Sequence, residues 1–172
     1  MFKNQTNIFS KAKKSMTYFT AIDLFCGCGA ISLGLKEAGF SVLAAVDFEA
    51  TACATYRRNH PEVHLLEEDI CKIEPIDLLP NAPTGLDLMV VCAPCQPFSS
   101  QNKYKDGDKR AALILQSLRF ARTFQPRLIL FENVPGLASK KNSSLMDQLN
   151  IGLQALGYSI SKPLKVDAAD YS

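Results

Sequence analysis

Residues Tyr18 to Asp47 read YFTAIDLFCGCGAISLGLKEAGFSVLAAVD, and this stretch decides the fold. Tyr18 to Phe25 is an apolar, β-branched run that stops at the turn Cys26-Gly27-Cys28-Gly29; Ala30 to Ala38 then takes helical spacing and closes at Gly39. Ser41 to Val46 repeats the strand pattern. Strand, glycine turn, helix and strand in succession form the unit of a parallel sheet covered on both faces, in which ligands gather at the carboxyl ends of the strands.

Working outward, Glu49 to Asn59 reads as the next helix, stopped before Pro61 because a residue preceding proline avoids the helical region. Val63 to Leu66 is a short third strand followed by Asp69-Ile70, and Leu86 to Cys92 is a continuous apolar strand of the kind buried on both faces. The polar, proline-broken stretch Ala93 to Lys109 is too long for an ordinary strand-to-helix turn and reads as a functional loop. Helix resumes at Arg110, with Ile114, Leu118 and Ala121 on one face, and Leu128 to Phe131 is a further strand ending at Glu132. Ser144 and Asp147 make a capping-box start for a last helix whose buried stripe is Met146, Leu149, Leu153 and Leu156; Tyr158 to Val166 begins another strand. On the other side, Met1 to Met16 carries Lys3, Lys11, Lys13 and Lys14 without an apolar run after them. It reads as a solvated basic tail rather than a secretory signal, with residues 17–172 as one domain.

Composition narrows the class but not the function. Hydrophobic residues at 47% and charged residues at 21% fit an ordered globular chain, and no segment is apolar enough to span a bilayer. The formal charge of +2 is too small to announce a nucleic-acid binder. Six cysteines without a signal sequence point to a reducing, cytoplasmic setting, nucleoid-associated if bacterial.

The residues that carry chemistry fall just after expected strands. The turn at Gly27 and Gly29 lets backbone approach a ligand closely, although by itself it reads equally well as a plain turn. Asp47, ending the second strand, adds an acid able to accept both hydroxyls of a ribose; capping the next helix is its plainer role. Together they suggest an adenosine-bearing cofactor. Ala93-Pro94-Cys95-Gln96-Pro97-Phe98-Ser99 presents a thiol on a stiffened loop at a strand end, the setting of a covalent nucleophile. Glu132, ending the next strand, is expected to be partly desolvated and so able to donate a proton.

Asp23-Leu24-Phe25-Cys26-Gly27-Cys28-Gly29, Pro94-Cys95-Gln96-Pro97-Phe98-Ser99 and Glu132-Asn133-Val134-Pro135-Gly136 resemble, in order, three signature motifs of the cytosine-C5 DNA methyltransferases. The resemblance runs from about Tyr18 to Ser172. It implies an α/β fold with a Rossmann-like, doubly wound, mostly parallel sheet, here cut short at its C-terminal side. It also implies transfer of a methyl group from S-adenosyl-L-methionine to carbon 5 of cytosine in DNA, in a restriction-modification setting. By the same resemblance Cys95 adds to C6 of a flipped base and Glu132 acts at N3. Phe25, Gly27, Cys28 and Gly29 line the cofactor pocket, Asp47 holds the ribose, Phe48 packs on the adenine, Asp69 and Ile70 meet its edge, and Pro94 and Leu113 complete the wall. Lys103, Lys105, Lys109 and Arg110 in the long loop are candidates for phosphate contacts, against the plainer reading of a solvated loop.

The chain departs from the family pattern at Ala30, where a glycine is usual, and at Cys92-Ala93 before Pro94. Ala168 to Ser172 resembles the opening of the next motif without its continuation, so the expectation is a fragment or subunit that partners DNA and a second polypeptide carrying the recognition region. That second chain would also cover an open sheet edge. Alternatives are cytosine-C5 methylation of transfer RNA, a non-catalytic cofactor-binding subunit, a thiol-disulfide oxidoreductase using Cys92 and Cys95, and a zinc site drawing on Cys26, Cys28, Cys92, Cys95, His60 and His64. Finger spacing is lacking for the last, so no metal is expected. Cys53 and Cys71 read as packing residues.

Overall fold

The computed structural model describes residues 19–82, 85–98 and 109–171. Its strands are β1 (Phe19–Leu24), β2 (Phe40–Asp47), β3 (His64–Glu67), β4 (Leu88–Val91) and β5 (Leu128–Phe131), and its helices are α1 (Ala30–Glu37), α2 (Ala50–Asn59), α3 (Pro75–Leu78), α4 (Ser117–Phe124) and α5 (Ser143–Ala155). The strands pair in parallel in the order β3-β2-β1-β4-β5. The order reverses at β1, which has β2 on one side and β4 on the other, so the loops after β1 and β4 diverge and open a crevice at the carboxyl edge.

Successive residues of the central strands serve two cores. Ile22 and Leu24 of β1 and Met89 and Val91 of β4 pack with Phe120 and Leu149, while Ala21, Val90 and Val42 pack with Leu35 and Tyr56 on the opposite face. β4 is buried throughout, as its unbroken apolar run requires. A bulge keeps β2 in phase: Ala21 pairs with Val42 but Ile22 with Ala44, leaving Leu43 as the extra residue. At the amino edge Asp87 fixes the register of three strands. Its carboxylate accepts from Thr20 N at 2.8 Å and from Arg127 at 3.1 Å, and the Thr20 amide above all holds it below the usual carboxylate range.

Several expectations need correction. The segment expected as helix from Arg110 winds as a 3-10 stretch from Lys109 to Gln116 before α4 begins; at the junction Ser117 Oγ donates to the Ile114 carbonyl at 2.6 Å, occupying that acceptor. The capping box at Ser144 and Asp147 does not form. α5 starts at Ser143, and the preceding Asn142 spends its side-chain amide on the carbonyl of Gly136 at 2.8 Å. Residues from Ser159 to Asp167 are exposed and unpaired rather than a strand, and Pro163 lacks the N–H a ladder needs. α3 was not anticipated. β5, the terminal strand, packs Ile129 and Phe131 against the core but leaves Leu128 and Leu130 65% and 50% exposed. No helix among the described residues is long and apolar enough to cross a membrane. The basic segment Met1 to Met16, Lys103 and Lys105 lie outside the described residues.

Among the described residues a single carboxylate interrupts the buried interior. Asp23 is fully buried; Ser32 Oγ donates to its Oδ2 at 2.7 Å, so the Tyr56 hydroxyl, 2.7 Å from Ser32 Oγ, must donate to serine, which has only one proton to give. Asp23 Oδ1 has no partner. Burial raises the Asp23 pKa to about 6 against the Ser32 bond that lowers it. The folded protein therefore keeps a proton that the unfolded chain releases, and Asp23 progressively destabilises the fold as pH rises from about 4 to about 6, by about 3 kcal/mol in all. Asp23→Asn cannot ionise. Urea unfolding of both proteins between pH 4 and pH 7 should show the stability difference moving by about that amount in favour of the variant; a pH-independent difference would mean that Asp23 does not titrate in this range.

Candidate active site

The turn after β1 is strained and tightly backed. Phe25 has φ 63, a left-handed conformation rare for an aromatic residue, and Gly27 and Gly29 have φ 54 and 96. A Cβ on Gly29 would lie 2.4 Å from the His60 ring, which is buried against the turn. His60 Nδ1 is 2.5 Å from Lys36 Nζ, and an ammonium can only donate; Nδ1 is therefore the acceptor, and the proton sits on Nε2, which donates to the Gly29 carbonyl at 2.9 Å. Sequence reasoning missed His60 as a support of the turn, because nothing local links positions 29 and 60.

Asp47 ties the second strand to this turn. Its Oδ2 accepts the Gly27 amide at 2.9 Å and its Oδ1 the Glu49 amide at 3.0 Å. The cap of α2 is Glu49, whose carboxylate accepts from Ala52 N at 2.7 Å and is held below its usual range by that bond. Capping is thus not the work of Asp47. Beside it opens a cleft of about 470 Å³, counted out to its mouth, lined by the expected residues Phe25, Asp47, Phe48, Asp69, Ile70 and Leu113. Val46 and Glu68 also line it and were not anticipated; the signal for Glu68 was its place in the acidic run that ends β3. Gly27, Gly29, the exposed Cys28 and Pro94 do not line this cleft, the glycines acting through the bonds just described.

The second half of the site leaves β4 and β5. Val91 pairs with Phe131, and Glu132 N donates to the Val91 carbonyl at 3.1 Å, so the loops carrying Cys95 and Glu132 start side by side. They are interlocked. Asn133 Nδ2 donates to the Ala93 carbonyl at 2.9 Å, and a Cβ on Gly136 would stand 1.9 Å from the Phe98 carbonyl oxygen. Cys95 is half-buried and opens a short 3-10 turn, its carbonyl accepting from Phe98 N at 2.9 Å. Glu132, expected to be partly desolvated, is exposed, because β5 is an edge strand and nothing described packs over its end.

The remaining thiols differ. Burial pushes Cys92 up to about 12 and Cys53 to about 11, and Cys26 higher still. A Cys92 so reluctant to ionise, at a strand end rather than a helix start, argues against the thiol-disulfide alternative. Cys53 is a packing residue; Cys71, expected to be one, is exposed. Among the described residues no three His, Cys, Asp or Glu side chains converge as metal ligands. Ser99 and the Lys109 side chain lie outside the described residues, while Arg110 is exposed at the start of the 3-10 stretch.

Because the atom facing Gly136 is a backbone oxygen, Gly136→Ala must displace the Cys95 loop. Overpacking of this kind costs on the order of 1 to 3 kcal/mol. Thermal unfolding should show a lowered Tm, and hydrogen exchange should quicken at the Phe98 amide; an unchanged variant in both measurements would mean the two loops are not in contact.

A family model for C-5 cytosine-specific DNA methylases matches residues 19–172. The type II methyltransferase M.AgeI of Thalassovita gelatinovora is 36% identical over 153 residues, covering 87% of this chain and 35% of that protein. M.Eco47II of Escherichia coli is 31% identical over 173 residues, covering 99% and 40%. The fold matches a DNA modification methyltransferase encoded within an E. coli prophage with a TM-score of 0.77 at 32% identity, over 89% of this chain and 42% of that one. A mutant of Spodoptera frugiperda DNMT2 matches with a TM-score of 0.59 at 28% identity, over 80% and 41%. This chain spans less than half the length of each of these proteins. With its ordered motifs, its sheet order and a family match over residues 19–172, the chain belongs to the C-5 cytosine-specific DNA methylases.

Proposed function

We propose that this chain forms the cofactor-binding and catalytic part of an enzyme that methylates carbon 5 of cytosine in DNA, within a restriction-modification system. The observation that carries the reading is the Val91–Phe131 pairing, which starts the Cys95 and Glu132 loops side by side at the edge where the cleft opens. The donor set suits an adenosine-bearing cofactor. Each Asp47 oxygen accepts one backbone amide and retains a lone pair for a ribose hydroxyl; Phe48, 66% exposed, offers an aromatic face, and Asp69 an acceptor for an amine. S-adenosyl-L-methionine, when bound, supplies an electrophilic methyl group.

The chain's residues then have defined tasks. A cytosine inside a duplex is out of reach and must be turned out of the stack. The Cys95 thiolate adds to C6, forming an S–C6 bond and pushing electrons toward C5 and N3, where Glu132 donates a proton. After C5 has gained the methyl group, loss of the C5 proton, return of the N3 proton to Glu132 and cleavage of the S–C6 bond free Cys95 as thiolate and leave neutral 5-methylcytosine. Glu132 is exposed here, so the dry surroundings that favour proton donation are contributed by DNA or by further protein. We assign that cover, the cover of Leu128 and Leu130, and target recognition to sequence of the kind the longer relatives carry, on the same polypeptide or a second one.

Two outcomes test this. In an enzyme assembled from this chain and a polypeptide supplying the remaining relative-like sequence, DNA bearing 5-fluorocytosine should trap a covalent adduct, since fluorine is not lost as a proton is; Cys95→Ser should abolish it, and an adduct that survives the substitution would refute the nucleophile. Asp47→Ala should weaken S-adenosylhomocysteine by about 1.5 to 3 kcal/mol in calorimetry. Equal affinity would remove Asp47 from the ribose site.

A further inference from the structure

Two walls of the cleft come from segments distant in sequence: Asp69 and Ile70 from the turn after β3, and Leu113 from the 3-10 stretch that leads into α4. Arg119, near the start of α4, joins them without lining the cleft. Its Nη2 donates to the Ile73 carbonyl at 2.6 Å and its Nη1 to the Ile70 carbonyl at 3.4 Å, while Nη1 also donates to Gln116 Oε1 at 3.0 Å. A guanidinium presents its donors in a rigid planar fork, so one side chain can hold two carbonyls at a set spacing. Those carbonyls bracket the turn that follows Asp69. Within it Asp69 Oδ1 accepts the Cys71 amide at 2.9 Å and the Asp69 carbonyl accepts from Lys72 N at 2.8 Å, so the direction of the carboxylate is set by the turn. The plainer role, an ion pair with Glu74 at 3.4 Å, carries little, because Glu74 is 76% exposed and such pairs are weak in water.

We propose that Arg119 is a positioning residue for the base end of the cleft: it fixes the spacing between the Ile70 and Leu113 walls and presents the Asp69 carboxylate to the exocyclic amine of an adenine. The proposal rests on the cleft being the cofactor site. An amine at position 6 donates to Asp69, whereas the 6-oxo group of hypoxanthine meets it acceptor to acceptor, so correct placement of Asp69 appears as a preference for adenine.

The test is calorimetric binding of S-adenosylhomocysteine and of S-inosylhomocysteine, its 6-oxo counterpart, to this chain and to Arg119→Ala, with thermal unfolding in parallel. The wild type should prefer the adenine ligand by about tenfold or more, the usual scale for a charge-assisted bond, and the variant's preference should fall to about twofold. A role confined to general stability would weaken both ligands by one factor and leave their ratio intact, and that result would overturn the proposal. Should Arg119→Ala fail to fold, Arg119→Gln, which loses the fork but keeps one donor group, is judged by the same ratio. A wild type that binds both ligands equally overturns the base-end assignment of Asp69 and Arg119 while leaving the cofactor site; one that binds neither overturns the cofactor site, and the Arg119 role with it.

Discussion

Parallel pairing of β1 with a neighbour on each side is the constraint on which everything else depends. Parallel neighbours can be joined only by a crossover, so each strand must enter at one edge and leave at the other. Every loop with chemical potential therefore emerges at the same edge: the glycine turn from β1, Asp47 and Phe48 from β2, Asp69 from the turn after β3, Cys95 from β4 and Glu132 from β5. The opposite edge is closed by the Thr20, Asp87 and Arg127 contacts, which hold register rather than ligands.

Polarity inside the sheet separates the groups that can react from those that cannot. Asp23, Cys26, Cys53, Tyr56 and Cys92 lie where burial disfavours their charged forms. Burial opposes the ionisation of each, and the Tyr56–Ser32–Asp23 chain of hydrogen bonds links helices α1 and α2 to β1. Cys95 sits apart from this group, half-buried on a loop at the open edge. Position in the sheet, more than residue type, separates Cys95 from the thiols of Cys26, Cys53 and Cys92.

What the sequence revealed divides along the same line. The family resemblance named six residues that line one cleft, and local pattern sufficed for the five strands of the sheet, Leu128 to Phe131 to the residue, though not for the strand expected over Tyr158 to Val166. Local pattern failed where a group's partner is remote. The capping box at Ser144 is a sound local motif, yet the helix is capped at Asn142, engaged with Gly136, and starts two residues early. The desolvation expected of Glu132 depends on what covers the end of an edge strand, and no strand pattern contains that information. His60 under Gly29 and Arg119 behind Ile70 were invisible for the same reason: each acts on a backbone carbonyl far away in sequence, and carbonyls leave no trace in residue identity.

The contact between Gly136 and the Phe98 carbonyl has a consequence for how this protein can change over generations. Where a glycine faces a side chain, a second substitution can make room: a Cβ on Gly152 would meet the Leu118 methyl at 2.6 Å, and a smaller residue at 118 would relieve it. At Gly136 the obstruction is main chain, identical for every amino acid that could stand at position 98. No suppressor at that position can compensate, so lineages are free to drift jointly at 118 and 152 while position 136 is locked by itself.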